Sequence, residues 1–485
     1  MVLSPPAQMH LEHVPVIPMA ISERVRQYMQ ARSAMFCDWH PGGNGLVIST
    51  RFAGTYQLHH VKMPGGARTQ LTFYDEPLYG ARFCKAAKTN GFLFSMDVGG
   101  GENYQIFYFD LDNGQRMCLT DGESRNGTPL WNHGGTTLAY SSTRRNGRDH
   151  DIHLTDIGSP DSTRLICKVQ GLWVPVCWSP DNRLLLVMDY LSATETHYHL
   201  LEIESGEMRP LLEKVPGGVA YGDARFSGDG SKLYFCADRE SEFMQLHCLE
   251  LATGEIETLT AHIPWNVTAI DLSPDGATLA LISNEDGLSR MYLLDTNSHE
   301  LSRLKLPMGI LGEPRFSPDG SQIGFTLHKP NHPADVWSYR LDNAELLRWT
   351  ESEVGGLNTS SFPVPELIRY PSFDDLEIPA FYFKPRQNSD RPYPVIISIH
   401  GGPESQYRPT YSALFQYWLN ELDIAILAPN VRGSTGYGKK YITLDNGFLR
   451  EDSVKDIGAL LDWIKEHPEL DEKRVCVYGG SYGGY

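Results

Sequence analysis

A serine between glycines, directly after an apolar run, is the residue of this chain best placed to do chemistry. Gly479-Gly-Ser-Tyr-Gly483 fits the pattern G-x-S-x-G, which makes Ser481 a candidate nucleophile at a sharp elbow. The preceding run, Arg474-Val-Cys-Val-Tyr478, predicts a short buried parallel strand. Glycines suit such an elbow because the turn from strand to helix leaves no room for side chains. Glycine-rich turns that contain a serine are common, so the position after a strand is what favours the nucleophile.

Two further glycine-rich stretches follow apolar strands upstream. His400-Gly-Gly-Pro403 comes after the strand predicted at 394–399, where a hydrolase places a backbone N–H that stabilises an oxyanion. The alternative is an ordinary turn at the end of a strand. Asn430-Val-Arg-Gly-Ser-Thr-Gly-Tyr-Gly438 follows the strand predicted at 424–427, at the carboxyl edge of the sheet, where ligands bind.

The elements that must position these stretches alternate between strand and helix. Strands are predicted at 366–370, 378–383, 394–399, 424–427 and 474–478, and helices at 410–420 and 452–467. This alternation predicts a parallel sheet covered on both faces. We therefore expect residues 359–485 to form an incomplete α/β-hydrolase domain.

A different pattern, a repeat, occupies residues 35–358. Each copy has a large apolar residue, a tight turn and an apolar strand, as in Leu272-Ser-Pro-Asp-Gly276, where proline presets φ and Asp and Gly suit the other corners. The large apolar residues, here called anchors, are Trp39, Phe83, Trp131, Trp178, Phe226, Leu272 and Phe316. Phe83 marks a degenerate copy without the turn.

The anchors lie 44 to 48 residues apart, and most copies hold a second turn, such as that at 110–115. Two hairpins in each period give four strands, which is typical of a propeller blade, so seven anchors predict an all-β seven-bladed propeller. A β-sandwich with coincidental turns is the alternative, and the regular spacing disfavours it. Residues 1–34 are predicted to be an extension with a short helix at 21–32.

Composition narrows the class of protein. The net charge of -18 argues against nucleic acid and anionic membranes as partners. The chain contains no run of eighteen apolar residues, so the sequence predicts no transmembrane helix. The N-terminus does not fit a signal peptide, and the eight cysteines are scattered without a C-x-x-C pair, so we expect a reduced, cytoplasmic protein. Histidine pairs such as His59-His60 lack an H-E-x-x-H arrangement, and we predict neither metal nor cofactor.

The three glycine-rich stretches, in this order behind a propeller, resemble the prolyl oligopeptidase family of serine peptidases. The closest branch is the one with acylaminoacyl-peptidases and related dipeptidyl peptidases. The resemblance implies that Ser481 is the nucleophile and that the N–H groups of Tyr482 and Gly402 bind the oxyanion. It also implies short peptide substrates, with the propeller limiting access to the site.

Triad residues in this fold follow the order Ser, Asp, His, and only four residues follow Ser481. Residues 359–485 also number 127, against roughly 200 for a complete α/β unit. We therefore expect a chain truncated just after the elbow, without the triad Asp and His, and inactive as it stands. A non-catalytic propeller that binds a partner and a carboxylesterase are the alternative functions.

Overall fold

Seven antiparallel sheets follow one another along the chain and form the propeller. The computed structural model describes residues 6–84, 90–386 and 391–485, so the first five residues and the stretch 85–89, which belongs to the degenerate copy of the repeat, lie outside the described residues. The strands of blades 1 to 4 are Ala34–Trp39, Leu46–Thr50, Gln57–Val61 and Arg68–Gln70; Tyr79–Phe83, Gly91–Met96, Gln105–Asp110 and Arg116–Cys118; Asn126–Trp131, Thr137–Ser142, Asp151–Asp156 and Ser159–Cys167; and Leu172–Trp178, Leu184–Ser192, Glu195–Glu202 and Met208–Pro210.

The strands of blades 5 to 7 are Tyr221–Phe226, Lys232–Ala237, Gln245–Glu250 and Ile256–Thr258; Asn266–Leu272, Thr278–Glu285, Leu288–Asp295 and Leu301–Arg303; and Ile310–Leu311, Arg315–Phe316, Gln322–Lys329, His332–Arg340 and Leu346–Arg348. Blade 7 has five strands because its first one is interrupted. The seven-bladed propeller predicted from the repeat is therefore confirmed.

Each of the seven predicted anchors is the last residue of the first strand of its blade, which in blade 7 is interrupted and ends with the segment Arg315–Phe316. The predicted turn chemistry is seen where a Ser-Pro-Asp-Gly corner follows the anchor. In blade 7 the N–H of Gly320 donates to the carbonyl oxygen of Ser317 (2.9 Å), and the Ser317 hydroxyl donates to Asp319 Oδ1 (2.6 Å). Serine and aspartate thus brace the corner that proline and glycine shape.

Side chains rather than a shared strand join the first blade to the last in the described part of the chain. The Trp39 indole donates to the carbonyl oxygen of Arg315 (2.9 Å) and stands edge-on to Trp349, with ring centroids 5.5 Å apart. The backbone N–H of Phe36 donates to Thr326 Oγ1 (2.8 Å). A short ladder of Ala31–Arg32 with Glu353–Val354 lies next to this closure.

The C-terminal sheet has the strand order Glu366–Pro371, Glu377–Phe383, Ala425–Pro429, Tyr393–Ile399 and Leu470–Gly479. The last three strands in this order run parallel to one another, as predicted. The first two, Glu366–Pro371 and Glu377–Phe383, pair antiparallel, so the sheet as a whole is mixed rather than purely parallel. The α-helices are Met19–Tyr28, Ala413–Glu421, Lys439–Thr443 and Arg450–Lys465, and the 3-10 helices are Thr359–Ser361, Gly447–Leu449 and Ser481–Gly484.

The two longer helices of this domain cover opposite faces of the sheet. Leu460 and Ile464 of Arg450–Lys465 join the core on one face, and Phe415 and Leu419 of Ala413–Glu421 join the core on the other. The N-terminal helix, predicted at 21–32, is Met19–Tyr28 and begins after Pro18, which fits a helix start because its φ is preset. No helix in the described ranges is long and apolar enough to cross a bilayer.

One feature of the strand before Ser481 differs from the prediction. Leu470–Gly479 is parallel to its neighbour, but most of it is exposed rather than buried, with Val477 57% and Tyr478 47% accessible. The reason is its place at the edge of the sheet, where it pairs only with Tyr393–Ile399 among the described residues.

Candidate active site

Ser481 lies at a sharp turn between the edge strand and the short 3-10 helix Ser481–Gly484. Its φ is +52°, a left-handed conformation that non-glycine residues seldom adopt and that clusters at functional sites. The turn closes through the N–H of Gly483, which donates to the carbonyl oxygen of Gly480 (2.9 Å). A Cβ at Gly483 would overlap the carbonyl oxygen of Ile399, so only glycine fits. The serine side chain is exposed at the tip.

The turn after Tyr393–Ile399 lies directly against this serine. A Cβ placed on Gly401 would be 3.3 Å from Ser481 Cβ and 3.8 Å from its Oγ, so glycine permits the close approach. Among the hydrogen bonds of the described residues, neither the N–H of Gly402 nor that of Tyr482 has an acceptor. The Gly402 N–H lies in the loop next to Gly401 and the Tyr482 N–H lies in the 3-10 helix Ser481–Gly484, and in the described part of the chain both predicted oxyanion donors are unpaired.

Both ring nitrogens of His400 are within hydrogen-bond distance of groups in the glycine-rich stretches. Its Nδ1 lies 2.7 Å from the carbonyl oxygen of Gly401 and its Nε2 lies 2.9 Å from Ser434 Oγ. Burial lowers the pKa of the imidazole, although the Gly401 carbonyl partly opposes this. The contact of the ring with Ser434, whose hydroxyl also donates to the carbonyl oxygen of Val431 (2.6 Å), ties two of the glycine-rich stretches together.

The third glycine-rich stretch is fixed by a buried ion pair. Arg432 donates through its backbone N–H to Asp456 Oδ2 (2.9 Å) and through Nη2 to Asp456 Oδ1 (2.8 Å), and both side chains are buried. The guanidinium also binds the half-exposed Asp374, whose pKa it lowers. These contacts join the stretch to the helix Arg450–Lys465 and to the turn after Glu366–Pro371.

Tyr482, whose N–H is a predicted donor, packs against a charged pair. The Arg450 guanidinium lies 5.3 Å from the centre of its ring and is itself bound by Asp445 (2.7 Å). Asp445 is 2% exposed on its side chain, and this burial raises its pKa. The pair supports the residue that follows the nucleophile.

Contacts with the propeller were not predictable from the sequence motifs. Arg408 Nε donates to the carbonyl oxygen of Gly287 (3.0 Å) and its Nη2 to Ser289 Oγ (2.9 Å), both in a hairpin of blade 6. Lys439 Nζ donates to the carbonyl oxygen of Gly218 (2.6 Å), which precedes blade 5. Neither basic residue lies in a recognisable motif, and their partners are distant in the chain.

A histidine of blade 7, His328, lies close enough to Arg408 to feel its charge, and we expect it to make the stability of the protein depend on pH. Burial, together with the nearby charge of Arg408, lowers the pKa of His328 to about 4. Because an unfolded histidine binds its proton near pH 6.5, the unfolding free energy should fall as the pH drops from about 6.5 to 4, by up to about 3 kcal/mol. In urea unfolding at pH 7.5 and pH 4, the loss of stability should be smaller in His328→Gln than in the wild type by up to this amount, since other groups titrate equally in both proteins. The exposed His262, changed to Gln, is the control, and parallel curves for wild type and His328→Gln would contradict the prediction.

The predicted histidine clusters do not assemble into a metal site in the described residues, where no group of three or more His, Cys, Asp or Glu side chains could hold an ion. His59, for example, is buried, with Nδ1 3.0 Å from the carbonyl oxygen of Gln57. This is the environment of a core histidine.

The fold and this site define a β-propeller followed by an α/β-hydrolase domain with a serine at its elbow. Residues 409–485 match the prolyl oligopeptidase family, and the family resemblance predicted from the sequence is confirmed. The Bacillus subtilis protein named uncharacterized peptidase YuxL is 25% identical, over 78% of this chain and 73% of its own. An acylamino-acid-releasing enzyme of Rattus norvegicus is 30% identical over 386 residues.

The chain spans 42% of the length of the rat enzyme, although the aligned part is 78% of this chain. A solved structure from a study of two prolyl endopeptidases superimposes with a TM-score of 0.83 and 16% identity, covering 96% of this chain and 71% of that one. At this identity the superposition shows the fold alone. These findings support a peptidase of the prolyl oligopeptidase family.

Proposed function

We propose that this protein is a serine peptidase that hydrolyses short peptides through an acyl-enzyme on Ser481. The observation that carries the proposal is the strained, exposed Ser481, held at φ +52° beside the His400-Gly-Gly-Pro403 turn. In the reaction, Ser481 Oγ attacks the peptide carbonyl carbon, and the amine of the downstream product leaves with a proton. Water then hydrolyses the ester and frees the serine.

The oxyanion of each tetrahedral intermediate would accept hydrogen bonds from the N–H groups of Gly402 and Tyr482. Two fixed backbone donors in a site without bulk water are worth far more than the same donors in solution. The propeller, residues 35–358, packs on the 359–485 unit through Arg408 and Lys439 and would exclude folded proteins. Short peptides are therefore the proposed substrates, and no nucleic acid or membrane partner is proposed.

A cytoplasmic location is part of the same proposal. It is supported by the cysteines, five of which are buried, as small apolar side chains would be. No cofactor enters the proposed reaction, since the serine, its base and the two backbone donors suffice for acyl transfer.

The test is labelling by a fluorophosphonate probe of the protein at its natural length, purified from its own source. We expect one label per chain on Ser481, loss of both label and peptide hydrolysis in Ser481→Ala, and normal labelling in a Ser205→Ala control at an exposed serine in a turn of blade 4. The expected loss of kcat is about a millionfold. Labelling with ester but no peptide turnover would favour a carboxylesterase, and no labelling at natural length would favour a non-catalytic propeller.

A further inference from the structure

The segment that connects Gly402 to the helix Ala413–Glu421 has no helix or strand of its own. We call residues 400–412 the oxyanion segment. Such an irregular segment keeps a fixed backbone only where other groups hold it. Its three central residues, 406 to 408, are each held by a different partner outside the segment.

Tyr407 is held from within the same domain. Its backbone N–H donates to Asn430 Oδ1 (2.6 Å), and Asn430 Nδ2 donates back to its carbonyl oxygen (3.1 Å). Asn430 is completely buried, so this pair of bonds is shielded from water. The first residue of the third glycine-rich stretch thus holds the middle of the oxyanion segment.

The residues on either side of Tyr407 are held by the propeller. Asn284 Nδ2 donates to Gln406 Oε1 (2.7 Å), and Arg408 donates to Gly287 and Ser289 as described above. All three partners belong to the hairpin 284–289 of blade 6, here called the blade 6 hairpin. The propeller therefore contacts the segment that carries a proposed oxyanion donor.

Arg408 is an unusual choice of residue if its contact serves only to stabilise the fold, because its charge is partly buried and, among the described residues, has no counter-ion. It is partly buried, yet in the described part of the chain no carboxylate lies within ion-pair distance of it. A desolvated guanidinium without a counter-ion costs stability, and burial lowers its pKa to about 10. Nearby Asp286 is already paired with Arg369 (2.5 Å).

The acceptors of Arg408 are themselves fixed. Ser289 Oγ accepts from the N–H of Leu311 in blade 7 (3.0 Å), and the N–H of Gly287 donates to Asn284 Oδ1 (3.2 Å). The blade 6 hairpin is consequently a rigid support, because its groups are bonded both within the hairpin and to the next blade.

We propose that Arg408 is a positioning residue that, by docking the oxyanion segment on the blade 6 hairpin, holds the Gly402 N–H against Ser481. The hydrolase site is then complete only when the propeller is docked, so that substrate enclosure and oxyanion binding occur together. This inference rests on the proposed function, since it assigns a purpose to Gly402.

The first test measures the segment without relying on activity. Hydrogen exchange of residues 400–412 in the 485-residue chain should become at least tenfold faster in Arg408→Met. Lys439→Met is the matched control, because it removes a cation that binds the propeller at Gly218 and Asp238 without touching the segment. It should change that exchange less than threefold. Ser289→Ala, which leaves Arg408 in place, should accelerate exchange two- to fivefold. Unchanged exchange in Arg408→Met, or equal changes in both methionine variants, would overturn the proposal.

The second test applies to the form of the protein that a fluorophosphonate labels on Ser481. Per labelled serine, Arg408→Met should lower kcat tenfold or more with KM within twofold, and Arg408→Lys should recover part of the loss. A merely structural role would reduce the number of labelled serines and leave kcat per labelled serine unchanged, which would refute positioning. Should no form be labelled, the proposed function fails, while the exchange experiment still decides whether Arg408 holds the segment.

Discussion

Replacement of Arg432 by methionine should destabilise the α/β domain by about 3–5 kcal/mol, because it leaves the carboxylate of Asp456 buried without a cation. Asp456 is completely buried and accepts from the backbone and guanidinium of Arg432 and from Ser372 Oγ (2.6 Å). Methionine approximates the length of the arginine stem, so the change removes charge and hydrogen bonds more than packing. Hydrogen exchange of the strand Tyr393–Ile399, under conditions where the rate reports the opening free energy, measures this loss of stability.

The matched control is Asp374→Asn, at the other carboxylate of the same guanidinium. Asp374 is 43% exposed on its side chain, so losing its charge should cost less than about 1 kcal/mol. The double variant Arg432→Met with Asp456→Leu should recover part of the stability, because it removes the unpaired charge. If Arg432→Met proved as mild as Asp374→Asn, the buried pair would not be what fixes the third glycine-rich stretch.

The propeller could be predicted in detail because its signals are local. A Ser-Pro-Asp-Gly corner such as 317–320 is formed by residues adjacent in sequence, and its bonds run within those residues and the next two. Proline, aspartate and glycine therefore indicate the turn before anything is known of the neighbouring blades. The anchors were equally visible, since a large apolar residue before each turn fills the space between blades.

The buried face of the helix Arg450–Lys465 shows where local pattern stops being sufficient. The apolar residues of this helix recur at a spacing that predicts one buried face, made of Val454, Ile457, Leu460, Leu461 and Ile464. In the structure Val454 and Leu461 are instead 55% and 39% exposed. Asp456 is buried instead, because its carboxylate forms an ion pair with the buried guanidinium of Arg432, which lies 24 residues away in the chain. The spacing of apolar residues along a helix cannot predict an ion pair with a residue that lies in a loop elsewhere in the chain.

The candidate site divides in the same way. Ser481 and Gly402 could be proposed as site residues from G-x-S-x-G and His-Gly-Gly-Pro, since each motif encodes its own backbone geometry. Arg408 could not, because its acceptor Gly287 is 121 residues away and contributes only a carbonyl oxygen. Backbone acceptors leave no trace in residue type, so contacts between domains are the part of the site that sequence reasoning missed.

A polypeptide of residues 1–485 should not be labelled at Ser481 by a fluorophosphonate probe. A serine hydroxyl is a weak nucleophile until a base accepts its proton, and without that base the rate falls by about a millionfold. Among the described residues, no histidine or carboxylate is hydrogen-bonded to Ser481 Oγ. The nearby His400 has both ring nitrogens engaged, at 2.7 Å to the Gly401 carbonyl oxygen and 2.9 Å to Ser434 Oγ.

Intact-mass measurement after prolonged incubation with the probe checks this prediction, with the protein at its natural length as the comparison. His400→Gln decides the meaning of any label that does appear, because glutamine keeps a polar side chain but cannot accept the serine proton. Stoichiometric labelling of Ser481 that His400→Gln abolishes would contradict the prediction and make His400 the base. The ring would then have to leave Ser434, and with it the contact that ties the second glycine-rich stretch to the third.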